Sequence, residues 1–413
     1  MKLYESESPK EWAILVGVQE NKGDDAVKSL KELAELAETA GAMTAGTLIQ
    51  NREKIHPGTY LGPGKVEELK ELLYSVDADC VICDDELSPA QYIALDEALE
   101  CKIMDRTMVI LDIFATRANT KEGKIQVELA QLKYRSARLV GMRRSLSRLG
   151  GGIGTRGPGE KKLEMDRRVI RQRIAQLQQE LEKVEKHRDL LRERRKKNNQ
   201  IMAALVGYTN AGKSSLLNVL TGANVLEEDK LFATLDPTTR ILELPGQQQI
   251  LLTDTVGFIR KLPHHLVQAF RSTLEEARYA DIIIHVVDSS NPNRDDQMET
   301  VYETLRDLGV EGKKIVTLFN KQDALEDEEI LKDTRADRTL RVSARSGEGL
   351  EEFRNLLNEL LHEDQIYIER VFLYEEAGRI QMIRGKGELL SEEYLPEGIM
   401  VKAWVSEKIF KQL

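Results

Sequence analysis

Eight consecutive residues, Gly207-Tyr208-Thr209-Asn210-Ala211-Gly212-Lys213-Ser214, carry the sharpest chemistry in this chain. Their G-x-x-x-x-G-K-S spacing suits a loop that wraps phosphate oxygens. The glycines let backbone N–H groups close around an anion, and a following helix adds its positive dipole end. In such a loop Lys213 reaches the β- and γ-phosphates, and the Ser214 hydroxyl binds Mg²⁺. The elements needed on either side are there: the apolar run Ile201 to Val206 predicts a buried strand, and Ser215 to Leu220 predicts the start of a helix.

Three downstream segments, in order, narrow the ligand. Asp254-Thr255-Val256-Gly257 follows the apolar Ile250-Leu251-Leu252, at a strand end. There an Asp can hold the Mg²⁺ shell through water, and the Gly N–H can approach a γ-phosphate with no Cβ in the way. Asn320-Lys321-Gln322-Asp323 follows the strand-like Ile315 to Phe319. A carboxylate at Asp323 accepts two hydrogen bonds from guanine N1–H and its amine, whereas adenine would leave it unpaired. Lys321 would lie along the base, and Asn320 would tie this loop to the phosphate loop. Ser343-Ala344-Arg345, after the short strand Thr339 to Val342, offers N–H groups to the guanine carbonyl. The expected ligands are GTP and GDP, with Mg²⁺ as cofactor.

Between the first two motifs, Phe232-Ala233-Thr234-Leu235-Asp236-Pro237-Thr238-Thr239-Arg240 must supply a hydroxyl that completes the Mg²⁺ shell and senses the γ-phosphate. Three threonines compete. The segment resembles the F-T-T-L stretch of Obg-like GTPases, which favours Thr234 and leaves Thr238 and Thr239 to begin a strand. Phe258 stands where many GTPases have a water-orienting Gln. Phe cannot hydrogen-bond water, so the catalytic group is another residue, a cation or a partner. It is unassigned, with Asn210, Lys213 and Thr234 as candidates. Asn210 matches the Asn that binds K⁺ in potassium-dependent GTPases, and a purely structural role in the loop fits it equally well.

The positioning elements fall into four parts. Residues 1–120 alternate strand-like and helix-like segments, which implies a small parallel sheet. Residues 121–198 read as two helices joined by the glycine-rich stretch Gly150 to Gly159: a hairpin whose tip region carries Arg156, Lys161 and Lys162, candidate RNA contacts. On the second helix Ile170, Ile174, Leu177, Leu181, Val184 and Leu191 form a seam that Arg188 interrupts. An ordinary hairpin with a mobile loop is the alternative. Residues 199–362 alternate strands and helices as an α/β phosphate-loop domain requires. Residues 363–413 suggest a small α+β unit with strand-like runs Ile366 to Leu373, Arg379 to Ile383 and Gly398 to Trp404. The fold class is α/β throughout the first and third parts.

Charge separates the hairpin from the rest. The chain carries a formal net charge of −10, yet Lys133 to Asn198 holds 21 Lys/Arg against 8 Asp/Glu. Such asymmetry predicts a polyanion-binding element on an acidic body. No run of about 18 apolar residues occurs, so no membrane span is expected. Three cysteines in 413 residues suit a reducing compartment. Cys80 and Cys83 form C-x-x-C inside an apolar run, which predicts buried thiols over a zinc or redox site.

With these residues in view the chain resembles the HflX family of translation-associated bacterial GTPases from end to end. The resemblance rests on the motifs above, on Phe258 and on four further stretches: Asp105-Arg106-Thr107, Leu111 to Ala115, Glu128 to Leu132, and the glycine loop running into Gly159-Glu160-Lys161-Lys162-Leu163-Glu164. It implies a cytoplasmic GTPase, expected to act as a monomer, that binds the large ribosomal subunit and splits or rescues stalled ribosomes, with the hairpin loop against ribosomal RNA. A GTP-gated RNA-binding ribosome-assembly chaperone is the runner-up. A membrane-associated signalling GTPase lacks support, since no lipidation motif or apolar anchor is present.

Overall fold

The computed structural model describes residues 10–20, 25–149, 158–197, 200–223, 230–245, 248–263, 266, 271–325, 331–363 and 365–413. Arg156 lies outside them, as do the side chains of Lys161 and Lys162. The chain divides into two compact units. The first comprises Met1–Arg188, Glu228–Asp236 and Val256–Leu274, and the second Asp189–Glu227, Pro237–Thr255 and Glu275–Leu413.

In the first unit, β1 (Glu11–Glu20), β2 (Ala42–Arg52), β3 (Cys80–Cys83) and β4 (Lys102–Asp105) form a parallel sheet in the order β2-β1-β3-β4. Helices α1 (Ala26–Thr39), α2 (Pro63–Val76), α3 (Pro89–Leu99) and α4 (Arg106–Arg117) flank it. Local chemistry starts each of them. Asp25 accepts the N–H groups of Val27 and Lys28, Pro63 opens α2, and Ser88 with Gln91 forms a reciprocal cap on α3. Gly62, in the glycine-rich stretch before α2, is that helix's N-cap. Cys80 and Cys83 are free and buried, and burial raises both thiols.

The hairpin belongs to this sheet through its first helix. That helix is α5 (Lys121–Leu149). Asp105, fully buried, caps α4 by accepting the Met108 N–H at 2.9 Å. It also accepts the Tyr134 hydroxyl and Arg138 guanidinium of α5, at 2.5 and 2.7 Å. The second helix, α6 (Pro158–Lys197), runs antiparallel to α5: Ile125 and Leu129 meet Leu177, with Ile174 and Leu181 beside them. Arg188, which interrupts the seam, pairs with Glu122 at 2.7 Å, and Arg173 with Glu128.

The second unit is built on β5 (Met202–Gly207), β6 (Thr238–Glu243), β7 (Gln249–Asp254), β8 (Ile282–Asp288), β9 (Lys314–Asn320) and β10 (Arg338–Arg341), ordered β10-β9-β8-β5-β7-β6. Only β6 runs antiparallel to its neighbour. All six residues of β5 are buried, as expected for a parallel strand covered on both faces. Helices α7 (Lys213–Thr221), α8 (Arg271–Tyr279), α9 (Arg294–Asp307) and α10 (Leu350–His362) follow; α8 straddles the boundary between the units. Phe353, Leu357 and Leu360 of α10 join Leu216, Leu217 and Leu220 of α7 in one core.

The last 49 residues correct one expectation. Strand β11 (Gln365–Phe372) pairs antiparallel with β13 (Gly398–Ser406), but Arg379 to Ile383 lies in helix α11 (Ala377–Lys386), not in a strand. The third strand is β12 (Glu388–Leu395), followed after β13 by the short α12 (Glu407–Phe410). Ile380 and Ile383 sit three residues apart on one helical face, against Phe372, Val401, Ala403 and Val405. Among the described residues no helix is long and apolar enough to cross a membrane.

A buried ion network organises the first unit. Arg106 donates to Asp84 at 2.8 Å, to Glu32 at 2.6 Å and to the Arg260 carbonyl at 3.1 Å. Lys261 reaches Asp84 at 2.5 Å and Asp85 at 2.9 Å. Burial pushes the Asp84 carboxyl up, but Arg106 and Lys261 outweigh it and hold it below the usual carboxylate range. A depressed carboxylate stabilises the fold above its unfolded pKa, and that contribution is lost as pH falls through the folded value. Asp84→Ala removes the carboxylate that Arg106 and Lys261 share, leaving Arg106 only the Glu32 carboxylate and Lys261 only that of Asp85, and should cost about 3 kcal/mol. Urea unfolding at neutral pH checks this, and a loss below ~1 kcal/mol would contradict the account.

Candidate nucleotide site

The second unit brings the phosphate loop and both base loops together at the carboxyl ends of its strands. Strand β5 delivers Gly207 with φ +154°, and a Cβ there would collide with the Val286 carbonyl of β8. Asn210 takes the left-handed region at φ +61°, which Asn tolerates better than most residues. Gly212, at φ +90°, is the residue before α7, and a Cβ on it would strike the Asn320 amide.

Asn320 holds the loops in register. Its Nδ2 donates to the Ala211 carbonyl at 2.9 Å, and its Oδ1 accepts the Ala344 N–H at 3.0 Å. One side chain, 1% exposed, thus joins the phosphate loop, the Asn320–Asp323 segment and the Ser343–Arg345 segment. Asp323 Oδ1 accepts the Ser343 hydroxyl at 2.6 Å, which fixes the carboxylate's orientation. Arg345 is largely exposed, 3.9 Å from the other oxygen.

Sequence reasoning missed Asp288 and Ser289, which hold the base loop from the end of β8. Lys321, at φ +62°, pairs with Asp288 at 2.8 Å, and Gln322 donates to the Ser289 hydroxyl at 2.8 Å. The available signal was position: Asp288-Ser289-Ser290 ends the apolar run Ile282 to Val287, at the same end of the sheet as the phosphate loop.

Ser214 Oγ donates to Asp254 Oδ2 at 2.7 Å, and Asp254 is fully buried. A hydroxyl and a carboxylate side by side form a hard oxygen donor set, suited to Mg²⁺ directly or through water. Thr255 donates to the Leu205 carbonyl at 2.7 Å, which closes the β7 end onto β5.

Phe232 to Asp236 and Val256 to Phe258 lie in the first unit, whereas Thr238 and Thr239 lie in the second. Phe232, at φ +55°, packs edge-on against Phe114 of α4 with centroids 4.8 Å apart. Leu235 is buried, and Thr234 is half-buried. Asp236 turns both carboxylate oxygens to the start of α5, where Oδ2 accepts the N–H groups of Asn119 and Thr120 at 2.8 Å each. Thr238 and Thr239 open β6. Phe258 is 1% exposed, next to buried Val256, Gly257 and Ile259.

Lys213 donates to the carbonyls of Tyr208 at 2.8 Å and Gly207 at 3.2 Å. Burial pushes its ammonium down to about 8, against the opposing pull of Asp254. Phosphate oxygens would restore the charged form. Nucleotide binding should therefore draw a proton onto Lys213 above pH about 8, and none below it, where the ammonium is already formed. Calorimetry of GDP binding in buffers of different ionisation enthalpy measures this; proton uptake that does not grow as pH crosses that value would refute it.

Known proteins resemble this chain in sequence. Family models match residues 27–115 (GTP-binding GTPase N-terminal), 117–195 (GTP-binding GTPase Middle Region) and 202–321 (50S ribosome-binding GTPase). GTPase HflX of Lacrimispora saccharolytica is 62% identical over 411 residues, covering 100% of this chain and 97% of that protein. GTPase HflX of Caldanaerobacter subterraneus is 49% identical over 404 residues, 98% and 93% of the two chains. A solved complex of SsGBP with GDP is 27% identical, covers 85% of this chain and 98% of its own, and has a TM-score of 0.47. Identity of this extent over the full length, with the matched domains in sequence, places the chain in the HflX family of GTPases, as a protein that binds and hydrolyses GTP.

Proposed function

We propose that this GTPase engages the large ribosomal subunit and its RNA through the α5–α6 hairpin and, in its GTP state, splits or rescues stalled ribosomes in the cytoplasm, acting as a monomer. The observation that carries the reading is the charge of the hairpin: 21 Lys/Arg against 8 Asp/Glu over Lys133 to Asn198, on a chain of net charge −10. A family model described as a 50S ribosome-binding GTPase over the nucleotide site supports it. Arg156, Lys161 and Lys162 are proposed RNA contacts, and phosphate contacts of this kind make affinity salt-dependent.

In this reading the loops of the second unit hold GTP and present it to water. The phosphate loop cradles the phosphates, Asp323 reads guanine, and Ser343-Ala344-Arg345 offers N–H groups to the guanine carbonyl. Ser214 and Thr234 would hold Mg²⁺, with Asp254 in its water shell, and the ion would neutralise charge building between the β- and γ-phosphates. Phe258 is apolar and buried, so it orients no water. The polar group that does so comes from elsewhere; Asn210 is the proposed K⁺ ligand, with a purely structural role in the loop as the alternative.

Sedimentation of intact ribosomes with the protein and a non-hydrolysable GTP analogue tests the function. Separated subunits are expected. Binding without separation would favour an assembly chaperone instead. At the site, Asp323→Asn should shift preference from GTP to xanthosine triphosphate, whose base carries a carbonyl where guanine has the amine. An unchanged preference would remove Asp323 from the base pocket. Basal turnover should lie well below ~10 s⁻¹ and rise with large subunits. Phe258→Ala should retain most of the chemistry, and near-total loss with GTP still bound would contradict this.

A further inference from the structure

Two segments that adjoin nucleotide-binding motifs in sequence, Glu228–Asp236 and Val256–Leu274, belong to the compact unit that carries the hairpin. The first of them ends on an unusual helix start. The Asp236 carboxylate caps α5: Oδ2 accepts the Asn119 and Thr120 N–H groups at 2.8 Å each, and Oδ1 accepts the Thr120 hydroxyl at 2.5 Å. Thr120 Oγ1 in turn accepts the Gly123 N–H at 2.9 Å. An anion at a helix N-terminus satisfies otherwise orphaned donors and meets the positive dipole end. Here that anion comes from a residue 116 positions away, from the segment that carries Thr234.

Gly123 shows that the first turn of α5 is shaped for this contact. Glycine in a helix is about 1 kcal/mol worse than alanine. A Cβ at this position would collide with Asp236 Oδ1 and crowd Thr120 Oγ1. The glycine leaves room for the carboxylate at the expense of helix propensity. At the other end of the segment, the edge-on contact of Phe232 with Phe114 of α4 holds the same stretch. Thr234 is thus suspended between two anchors, one of which is the root of the hairpin.

We propose that Asp236 is a positioning residue that couples the hairpin to the nucleotide. Displacement of α5 by a bound polyanion acts on the Thr234 segment through the Asp236–Thr120 cap, and the nucleotide state of that segment acts back on the start of α5 with the same coupling free energy. This rests on the ribosome-binding, GTP-gated reading given above. It adds the residues through which binding at the arm reaches the site.

The test uses the full chain with Gly123→Ala, which wedges the carboxylate out while improving helix propensity, and Thr120→Val, with Thr120→Ser as the conservative control that keeps the hydroxyl. Purified large ribosomal subunits are the probe for stimulation, and hydrogen exchange at the Asn119 and Thr120 amides is read with GDP and with a non-hydrolysable GTP analogue. Expected for Gly123→Ala and Thr120→Val are basal turnover and GDP affinity within about twofold of the parent, and a loss of roughly tenfold in subunit-stimulated turnover, the scale of a typical coupling. Thr120→Ser should restore stimulation. In the parent the two amides should exchange at nucleotide-dependent rates, and this dependence should vanish in Gly123→Ala. Full stimulation in both disrupted variants, or parental amide exchange indifferent to nucleotide, overturns the proposal. If the parent itself is not stimulated by subunits, the ribosome reading fails while the exchange result still decides the coupling.

Discussion

The nucleotide site depends on one buried amide. Asn320 donates to the predicted phosphate loop and accepts from the segment after β10, so the predicted phosphate and base loops share a single anchor. The constraint propagates into the sequence. Gly212 must lack a Cβ because the Asn320 amide fills that space, and Gly207 must lack one because the Val286 carbonyl does. Three loops from the ends of β5, β9 and β10 are thereby held in register by one side chain. Preorganisation of that kind lowers the ordering cost of binding.

The first unit obeys a different logic. Its interior is held by charge as well as by apolar contact: Arg106, Asp84, Asp85, Glu32 and Lys261 form one connected set. Replacing one member leaves the others desolvated and mispaired, so such a network tolerates little local change. Lys261 and the Arg260 carbonyl belong to the stretch that follows Asp254-x-x-Gly257 in the chain. Asp236 belongs to the stretch that follows the phosphate-loop helix. Both stretches are therefore anchored by polar contacts to the unit bearing the basic hairpin.

The arrangement of the candidate nucleotide loops was legible in sequence because its signals are local. A glycine-rich turn between an apolar run and a helix start needs no knowledge of the fold, and Asn320 to Asp323 has the same character. The seam Ile174, Leu177, Leu181 was readable as period, and so was the break at Arg188, which the structure explains by Glu122. What escaped reading depends on partners far away in sequence. Arg379 to Ile383 alternates like a strand, yet it packs as a helix because the face joining Ile380 and Ile383 covers a sheet whose third strand, Glu388 to Leu395, is too polar to stand out. Asp288 looked like any strand-end Asp, although it fixes Lys321. Asp236 sat within a nucleotide-binding pattern while its carboxylate is engaged at a helix 116 residues earlier in the chain.

The shared anchor is tested most directly by Asn320→Asp, which keeps the shape and the acceptor toward Ala344 but removes the donor toward Ala211. Affinity for GDP, followed with a fluorescent analogue, should fall by about tenfold or more, because a buried carbonyl loses its donor and faces a carboxylate. Parental GDP affinity in that variant would show that the phosphate and base loops are held by something other than Asn320, and would contradict the account.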